Sequence, residues 1–195
     1  MIRAVAFDVM DTLLTDPFRQ ALAAATGLEL GEVLERRPAG AYPAFERGEI
    51  DEDAYWAAYA TVGIEADRDT FHRVRVANLA WIPGMREVVD DLEALVLRTT
   101  ASNYPVWIEE LAAGPLAGRF DLVLASHHLG IRKPEAGFYE RLTARLALPS
   151  GSIAFVDDRP VNVEAARAAG LPAHLFEEAN EVRTWLRELG VPLGG

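Results

Sequence analysis

Short apolar runs alternate with longer amphipathic segments along most of the chain. The apolar runs are rich in β-branched and aromatic residues, which favour strands, and they lie at 2–8 (IRAVAFD), 95–103 (LVLRTTASN), 120–126 (FDLVLAS), 152–158 (SIAFVDD) and 172–176 (PAHLF). Helical spacing of apolar residues predicts helices at 84–95, 106–113, 134–146, 161–169 and 178–189. Strands that alternate with helices favour right-handed crossovers. The pattern therefore predicts an α/β fold, a doubly wound parallel sheet with helices on both faces.

The interval 15–82 breaks this alternation, because it has no convincing strand and much helical periodicity, as in DEDAYWAAYATVG and ADRDTFHRVRVANLAW. Asp51 and Asp67 are expected to cap helices, and Gly63 is expected to end one. The interval is too long for a simple crossover between two strands. We therefore predict an inserted helical cap subdomain at 15–82 and an α/β core formed by 1–14 and 83–195.

Composition narrows the possible functions. The 195 residues include no cysteine, which excludes disulfides, cysteine zinc sites and a cysteine nucleophile. The net charge of −11 argues against a nucleic-acid or anionic-membrane surface. No apolar run approaches the roughly 20 residues that span a bilayer, and the N-terminus does not resemble a secretory signal. We expect a cytoplasmic protein, monomeric or homodimeric.

Polar residues stand where three predicted strands end and just before one predicted helix. They are Asp8, Ser102, Asn103, Asp157, Asp158 and Lys133. Taken singly, each fits an ordinary role, such as capping a helix or forming a turn. Ligands of open α/β sheets bind beyond the carboxyl ends of the strands. Because all of these residues coincide with predicted strand or helix ends, the sequence predicts a functional site at the carboxyl edge of the sheet.

Four spaced motifs carry a resemblance to the haloacid dehalogenase (HAD) superfamily with a helical cap. They are FDVMDTLL, TTASN, LGIRKPEAGFYERL and IAFVDDRPVNVEAARAAGL, and IPGMREVVDDL also fits. The chain from 102 to 171 is similar to bacterial sugar-phosphate phosphatases and to the N-terminal domain of mammalian epoxide hydrolase. The resemblance implies a Mg²⁺-dependent hydrolase of small phosphorylated metabolites, with a phosphate ester as the expected substrate.

The resemblance also implies roles for individual residues. Asp8 is expected to be the nucleophile that forms an aspartyl-phosphate intermediate. The expected Mg²⁺ ligands are Asp8, the main-chain carbonyl of Met10, Asp157 and Asp158, since this cation prefers oxygen ligands. A shared ion requires the carboxyl groups of Asp8 and Asp157 to lie within about 8 Å of each other.

The remaining expected roles belong to the substrate phosphoryl group. Lys133 is expected to balance the charge of Asp8 and of the transferring group, as a catalytic and binding residue. Ser102 is expected to hydrogen-bond a phosphoryl oxygen, with Asn103 beside it as a further binding residue. Asn162 is expected either to brace the loop after the fourth motif or to be an ordinary polar residue of a helix start.

Met10 departs from the family pattern. The phosphatases of the family have an aspartate at this place, which protonates the leaving alcohol and then activates water. Loss of a general acid typically lowers the rate by about 10²–10⁴-fold. Three interpretations stay open: a phosphatase that prefers good leaving groups, a hydrolase similar to the 2-haloacid dehalogenases, or a non-catalytic protein that binds a phosphate ligand or a partner. The retained acid pair at 157 and 158 favours the phosphatase, because two unneutralised carboxylates near Asp8 would repel an anionic substrate.

Overall fold

The computed structural model describes residues 1–194, whose strands form one parallel sheet. The strands are β1 (Ala4–Phe7), β2 (Leu97–Thr100), β3 (Ile153–Asp157) and β4 (Ala173–Leu175). Their order is β2-β1-β3-β4, and Ala4 of β1 stands opposite Leu97 of β2 and Ile153 of β3. The predicted α/β fold with a parallel sheet is confirmed.

Helices connect and cover these strands. Between β1 and β2 lie α1 (Phe18–Thr26), α2 (Leu30–Arg36), α3 (Ala41–Glu46), α4 (Glu52–Thr61), α5 (Arg68–Ala77) and α6 (Met85–Asp90). After β2 come α7 (Ile108–Ala113), α8 (Ser126–Leu129), α9 (Ala136–Leu146), the 3₁₀ turn Ser150–Ser152, α10 (Pro160–Ala168) and α11 (Ala179–Glu188). Helices α1 to α5 fall within residues 15–82, which we call the helical insertion. None of the helices in residues 1–194 has the length and apolar character needed to span a membrane.

The sheet has an apolar layer on each face. Because side chains alternate along a strand, Val5 and Phe7 of β1 enter one buried cluster while Ala4 and Ala6 enter the other. All four are fully buried, so β1 is the central strand of the core. The polar residue that follows it, Asp8, therefore emerges at the end of a rigid element.

The predicted strand at 120–126 was wrong as a regular strand. The segment runs beside β2, but only isolated bridges join them, at Leu122 and at Ala125. The hydroxyl of Thr100 donates to the Leu124 carbonyl and accepts from the Leu124 N–H, both at 2.8 Å. This side chain replaces a main-chain partner, and the ladder of main-chain bonds is interrupted there.

Helix ends agree with the sequence signals in the insertion, and one predicted helix outside it is shorter than expected. Asp51 and Asp67 accept the N–H groups of Ala54 and Thr70, so both predicted caps are confirmed. The helix predicted at 84–95 ends at Asp90 instead. The carbonyl of residue 91 accepts the N–H of residue 194, and the N–H of residue 93 donates to the carbonyl of residue 192. The C-terminal segment thus takes the main-chain groups that a longer helix would need.

The helical insertion docks on the rest of the chain through an aromatic cluster and one buried cation. The rings of Phe71 and Trp107 lie 4.9 Å apart between centroids, and Trp107 precedes α7. The guanidinium of Arg75 lies 5.1 Å from the centre of the Trp107 ring, pairs with Glu110 and donates to the Tyr104 hydroxyl at 3.3 Å. These contacts hold α5 against α7.

Candidate active site

The site begins where β1 and β3 end side by side. Asp8 follows β1, its N–H donates to the Val156 carbonyl at 2.8 Å, and Asp157 is the last residue of β3. One carboxylate oxygen from each of Asp8, Asp157 and Asp158 lies within 4.8 Å of the others. This separation is well inside the distance of about 8 Å that a shared divalent ion requires.

Lys133, the one lysine of the sequence, is buried between two of these acids. Its Nζ lies 3.0 Å from Asp8 Oδ1 and 2.5 Å from Asp157 Oδ2. Burial by itself would lower the pKa of Lys133, but the charges of Asp8 and Asp157 outweigh that effect and raise it. The side chain is therefore a permanent ammonium at neutral pH.

The main chain of Lys133 is held by Asn103. The Asn103 amide donates to the Lys133 carbonyl at 2.9 Å and accepts the Lys133 N–H at 2.8 Å. Both polar ends of this side chain are thus engaged in placing the lysine. The predicted contact of Asn103 with a substrate stays a prediction. In the structure, Asn103 positions the main chain of Lys133.

Asp157 is fully buried, and both of its oxygens accept hydrogen bonds. The donors are Lys133 Nζ, Asn162 Nδ2 at 2.9 Å and the Arg159 N–H at 2.9 Å. Burial raises the pKa of Asp157 despite the opposing effect of Lys133. Asn162 therefore braces the acid that ends β3, in agreement with one of its two expected roles.

Asp158 is half-buried and differs from Asp157 in its surroundings. Burial, followed by the charges of Asp8 and Asp157, raises the pKa of Asp158 to about 7. Three carboxyl groups thus face one ammonium, and the cluster carries an excess of negative charge when all are ionised. A divalent cation would neutralise that excess, which is an electrostatic argument for a metal site here.

The turn after β1 presents no carboxyl group at position 10. Met10 lines the site cavity and packs against the apolar core. Asp11 has a φ of 57°, in the left-handed region that favours glycine, which agrees with the glycine usual in the family at this place. The Asp11 carboxylate accepts the N–H of Asp16, five residues later, at 3.1 Å.

A cavity of about 370 Å³ lies over the strand ends. Of the predicted site residues, it is lined by Asp8, Met10, Ser102, Asn103, Lys133 and Asp158. Asp157 does not reach its wall. The structure thus brings the predicted residues together at one sheet edge, with the acid of β3 behind the lysine rather than in the cavity.

The helical insertion supplies the opposite wall, and most of these residues were not predicted. They are Asp16, Phe18, Arg19, Leu34, Arg37, Tyr42 and Glu46. Arg132, the neighbour of Lys133, also lines the cavity and forms an ion pair with Glu46. Glu46 is 3% exposed. Its sequence context, a helix end in AYPAFERGEI, contains no signal that links it to a catalytic site.

A second cavity of about 450 Å³ adjoins the first. The two volumes share Leu34, Arg37, Tyr42 and Arg132, and the outer one is also lined by Tyr55. The helical insertion thus bounds two adjacent cavities, one of them over the strand ends.

The fold and the acid cluster define a hydrolase of the HAD class, and comparison with known proteins agrees. The sequence profile of the haloacid dehalogenase-like hydrolases matches residues 2–170, which is most of the chain. The protein therefore belongs to this family of hydrolases, as the four motifs predicted.

One relative and several solved structures are similar over nearly the whole chain. Flavin mononucleotide hydrolase 1 of Arabidopsis thaliana, a chloroplastic protein by name, is 31% identical over 189 residues, which cover 95% of this chain and 76% of the relative. A HAD-like family hydrolase from Porphyromonas gingivalis has a TM-score of 0.79 at 23% identity and covers 97% of this chain and 98% of its own. The expected cytoplasmic location of this protein stays a prediction.

Two further solved structures are similar in fold. A HAD-family enzyme from Bacteroides thetaiotaomicron, in complex with magnesium and inorganic phosphate, has a TM-score of 0.78 at 14% identity and covers 93% of this chain and 99% of its own. A 2-haloacid dehalogenase from Pseudomonas syringae has a TM-score of 0.63 at 19% identity and covers 90% and 86%. These structures share the fold with this protein.

Proposed function

We propose that the protein is a Mg²⁺-dependent phosphomonoesterase that acts through an aspartyl-phosphate on Asp8. The observation that carries the proposal is the grouping of three carboxylates with one buried lysine at the ends of two parallel strands. The hydrolase named for flavin mononucleotide and the Bacteroides enzyme that holds magnesium and phosphate support it.

The residues present fit a magnesium ion. Asp8 and Asp158 face the cavity, Asp157 stands within reach behind them, and hard oxygen ligands suit this cation. The main-chain carbonyl of Met10 is the proposed fourth ligand, in a role that does not need the side chain. When bound, Mg²⁺ would neutralise negative charge on the cluster and on the phosphoryl oxygens.

The protein's own groups perform the transfer. The Asp8 carboxylate attacks phosphorus, and the ammonium of Lys133 balances the charge of the nucleophile and of the transferring group. Ser102, which is 1% exposed and lies two residues after β2, donates a hydrogen bond from its hydroxyl to a phosphoryl oxygen. Asn103 keeps Lys133 in position through the two bonds to its main chain.

The helical insertion is proposed to act as the cap predicted at 15–82, with the core formed by 1–14 and 83–195. It closes the cavity over the phosphoryl site, excludes water and supplies the residues that contact the rest of the substrate. Arg19 and Arg37 offer positive charge, and Phe18 and Tyr42 offer aromatic rings 4.7 Å apart between centroids. Small phosphorylated metabolites with a polar or aromatic portion fit this wall, and flavin mononucleotide is the first one to assay.

A second candidate function is 2-haloacid dehalogenation. Met10 favours it, since halide leaves without a proton, but the acid cluster opposes it. Two extra carboxylates near Asp8 would repel a carboxylate substrate unless a cation neutralised them.

The deciding experiment compares the two chemistries in one preparation. Phosphate release from p-nitrophenyl phosphate and from flavin mononucleotide is measured in Mg²⁺ and in EDTA, and halide release from 2-chloropropionate is measured alongside. We expect phosphate release that requires Mg²⁺ and disappears in Asp8→Asn, while Asp69→Asn, the same change on the exposed surface of α5, keeps it. Halide release that is indifferent to EDTA would instead establish the dehalogenase.

A further inference from the structure

The proposed reaction needs a proton for the leaving alcohol, and Met10 cannot give one. The cavity contains another buried carboxyl group that the steps described so far do not use. Glu46, the last residue of α3, lines the same cavity as Asp8, Lys133 and Ser102. It belongs to the wall that the helical insertion contributes to this cavity.

Glu46 is fixed on the core from both its main chain and its side chain. The Ser126 hydroxyl donates to the Glu46 carbonyl at 2.7 Å, and Ser126 also accepts the Tyr104 N–H at 3.0 Å. The Glu46 carboxylate pairs with Arg132, one residue before Lys133. The carboxyl group is therefore held at a constant position relative to the lysine that contacts the nucleophile.

The protonation of Glu46 is set by its burial and by its charged neighbours. The titratable groups that face it are Arg132, Lys133, Asp8, Tyr42, Tyr55 and Arg47. Burial is the largest influence and raises the pKa of Glu46 to about 7, although Arg132 and Lys133 act to lower it. A carboxyl group with this pKa can both give and take a proton near neutral pH.

Apart from the nucleophile Asp8 and the proposed metal ligand Asp158, two other acids line the cavity and suit the role less well. Asp11 is exposed and accepts the N–H of Asp16, and Asp16 is exposed and accepts the N–H of Phe18 at 3.0 Å. Burial raises the pKa of Asp16 as well, against the effect of the Phe18 N–H, so the choice rests on position: both side chains are exposed at the cavity edge, whereas Glu46 is enclosed. Glu46 is the buried one of the three.

We propose that Glu46 is the general acid and base of the reaction, in place of the aspartate that the family has where this chain has Met10. The inference rests on the proposed phosphatase function. In the first step an Asp8 oxygen bonds to phosphorus, the bond from phosphorus to the leaving oxygen breaks, and that oxygen keeps the electron pair and takes the Glu46 proton. In the second step the Glu46 carboxylate takes a proton from water as the water oxygen bonds to phosphorus. The bond from Asp8 to phosphorus breaks, which restores the Asp8 carboxylate and releases phosphate.

The test is the ratio of kcat/KM for an alkyl phosphate to kcat/KM for an aryl phosphate, in Mg²⁺. Flavin mononucleotide and glycerol 3-phosphate are the alkyl probes, and p-nitrophenyl phosphate is the aryl probe, whose leaving group needs little protonation. Glu46→Gln is expected to lower the ratio by about 10²-fold or more, the usual loss for a general acid. The ratio is independent of the folded fraction, so a partly unfolded variant still gives an answer.

The matched control is Glu49→Gln, the same change three residues on, where the carboxylate is exposed and pairs with Arg47. It is expected to leave the ratio within about twofold. Met10→Asp in the Glu46→Gln background is expected to restore at least part of the lost alkyl turnover. In the wild-type enzyme, kcat/KM for the alkyl probes should fall as the pH rises through about 7, and Glu46→Gln should remove that limb.

Three outcomes are decisive. A selective loss in Glu46→Gln with rescue by Met10→Asp supports the proposal. Equal losses for alkyl and aryl probes, or a selective loss in Asp16→Asn instead, overturn it while the phosphatase function stands. No Mg²⁺-dependent phosphate release from the wild-type enzyme with any probe overturns the proposed function itself, and this inference with it.

Discussion

Replacement of Lys133 by Met should destabilise the protein strongly, because it removes the one cation between two buried acids. The ammonium lies 3.0 Å from Asp8 Oδ1 and 2.5 Å from Asp157 Oδ2, and the lysine side chain is 1% exposed. Methionine fills much of the space of the lysine stem but leaves both carboxylates without their counter-charge. The packing change is therefore small, and the electrostatic change is large.

The size of the effect follows from this burial. Removal of one partner from a buried ion pair typically costs about 3–5 kcal/mol. For a chain of this length, each kcal/mol lowers the melting temperature by about 2–4 °C. We therefore expect Lys133→Met to melt about 6–20 °C below the wild-type protein in EDTA. Added Mg²⁺ should recover part of the loss, because it replaces the missing positive charge.

The measurement is thermal and urea unfolding of both proteins, in EDTA and in Mg²⁺. Arg68→Met is the matched control, since it breaks an ion pair with Asp53 whose side chains are 43% and 85% exposed. An exposed pair contributes up to about 1 kcal/mol. If Lys133→Met lost no more stability than Arg68→Met, the claim that this lysine neutralises a buried acid cluster would be refuted.

Two further predictions concern other buried charges. The pKa of Glu46 is raised from 4.5 to about 7 in the folded state, so the folded protein binds the carboxyl proton more tightly than the unfolded chain does. The contribution to the free energy of unfolding is therefore complete below pH 4.5 and is lost as the pH rises through 7. At about 1.36 kcal/mol per pH unit this amounts to about 3 kcal/mol. Between pH 4.5 and pH 8, the free energy of unfolding in urea should therefore fall by about 3 kcal/mol more in the wild-type protein than in Glu46→Gln. The same fall in both proteins would contradict the prediction. Glu110→Gln should cost about 3–5 kcal/mol, because it removes the carboxylate that pairs with the buried Arg75, which then keeps contacts with the Tyr104 hydroxyl and the Trp107 ring but no counter-charge. Arg75→Met should cost only about 2 kcal/mol, since the Glu110 left behind is half exposed. If chemical denaturation showed a larger loss of stability for Arg75→Met than for Glu110→Gln, the ion pair would not be the main contribution of Arg75 to stability.

The residues at the strand ends could be predicted because the reasons for their placement are local. An apolar run that stops at Asp8 or at Asp157 marks a strand end, and parallel strands bring their carboxyl ends to one edge. The distance between these acids follows from the 4.7–4.9 Å spacing of neighbouring strands. The core part of the site is thus contained in the order of short sequence segments.

Other features depend on contacts between distant segments and have no local signal. Glu46 reaches the cavity because α3 packs near α8, where Ser126 holds its carbonyl. The strand expected at 120–126 fails because Thr100, about two dozen residues earlier, bonds into its main chain. In each case a hydrogen bond formed only in the folded chain decides the outcome, and apolar periodicity does not record it.

The single lysine has a practical consequence for chemical labelling. All other cationic side chains are arginine or histidine, so Lys133 is the one side chain that a reagent for primary amines can acylate. This side chain lies buried at the wall of the site cavity. Because acylation requires the free amine, the rate at which Lys133 acquires an adduct, read by mass spectrometry, would measure how often this side chain leaves Asp8 and Asp157 and meets solvent. The protein thereby carries a reporter of access to its acid cluster, with no engineered residue required.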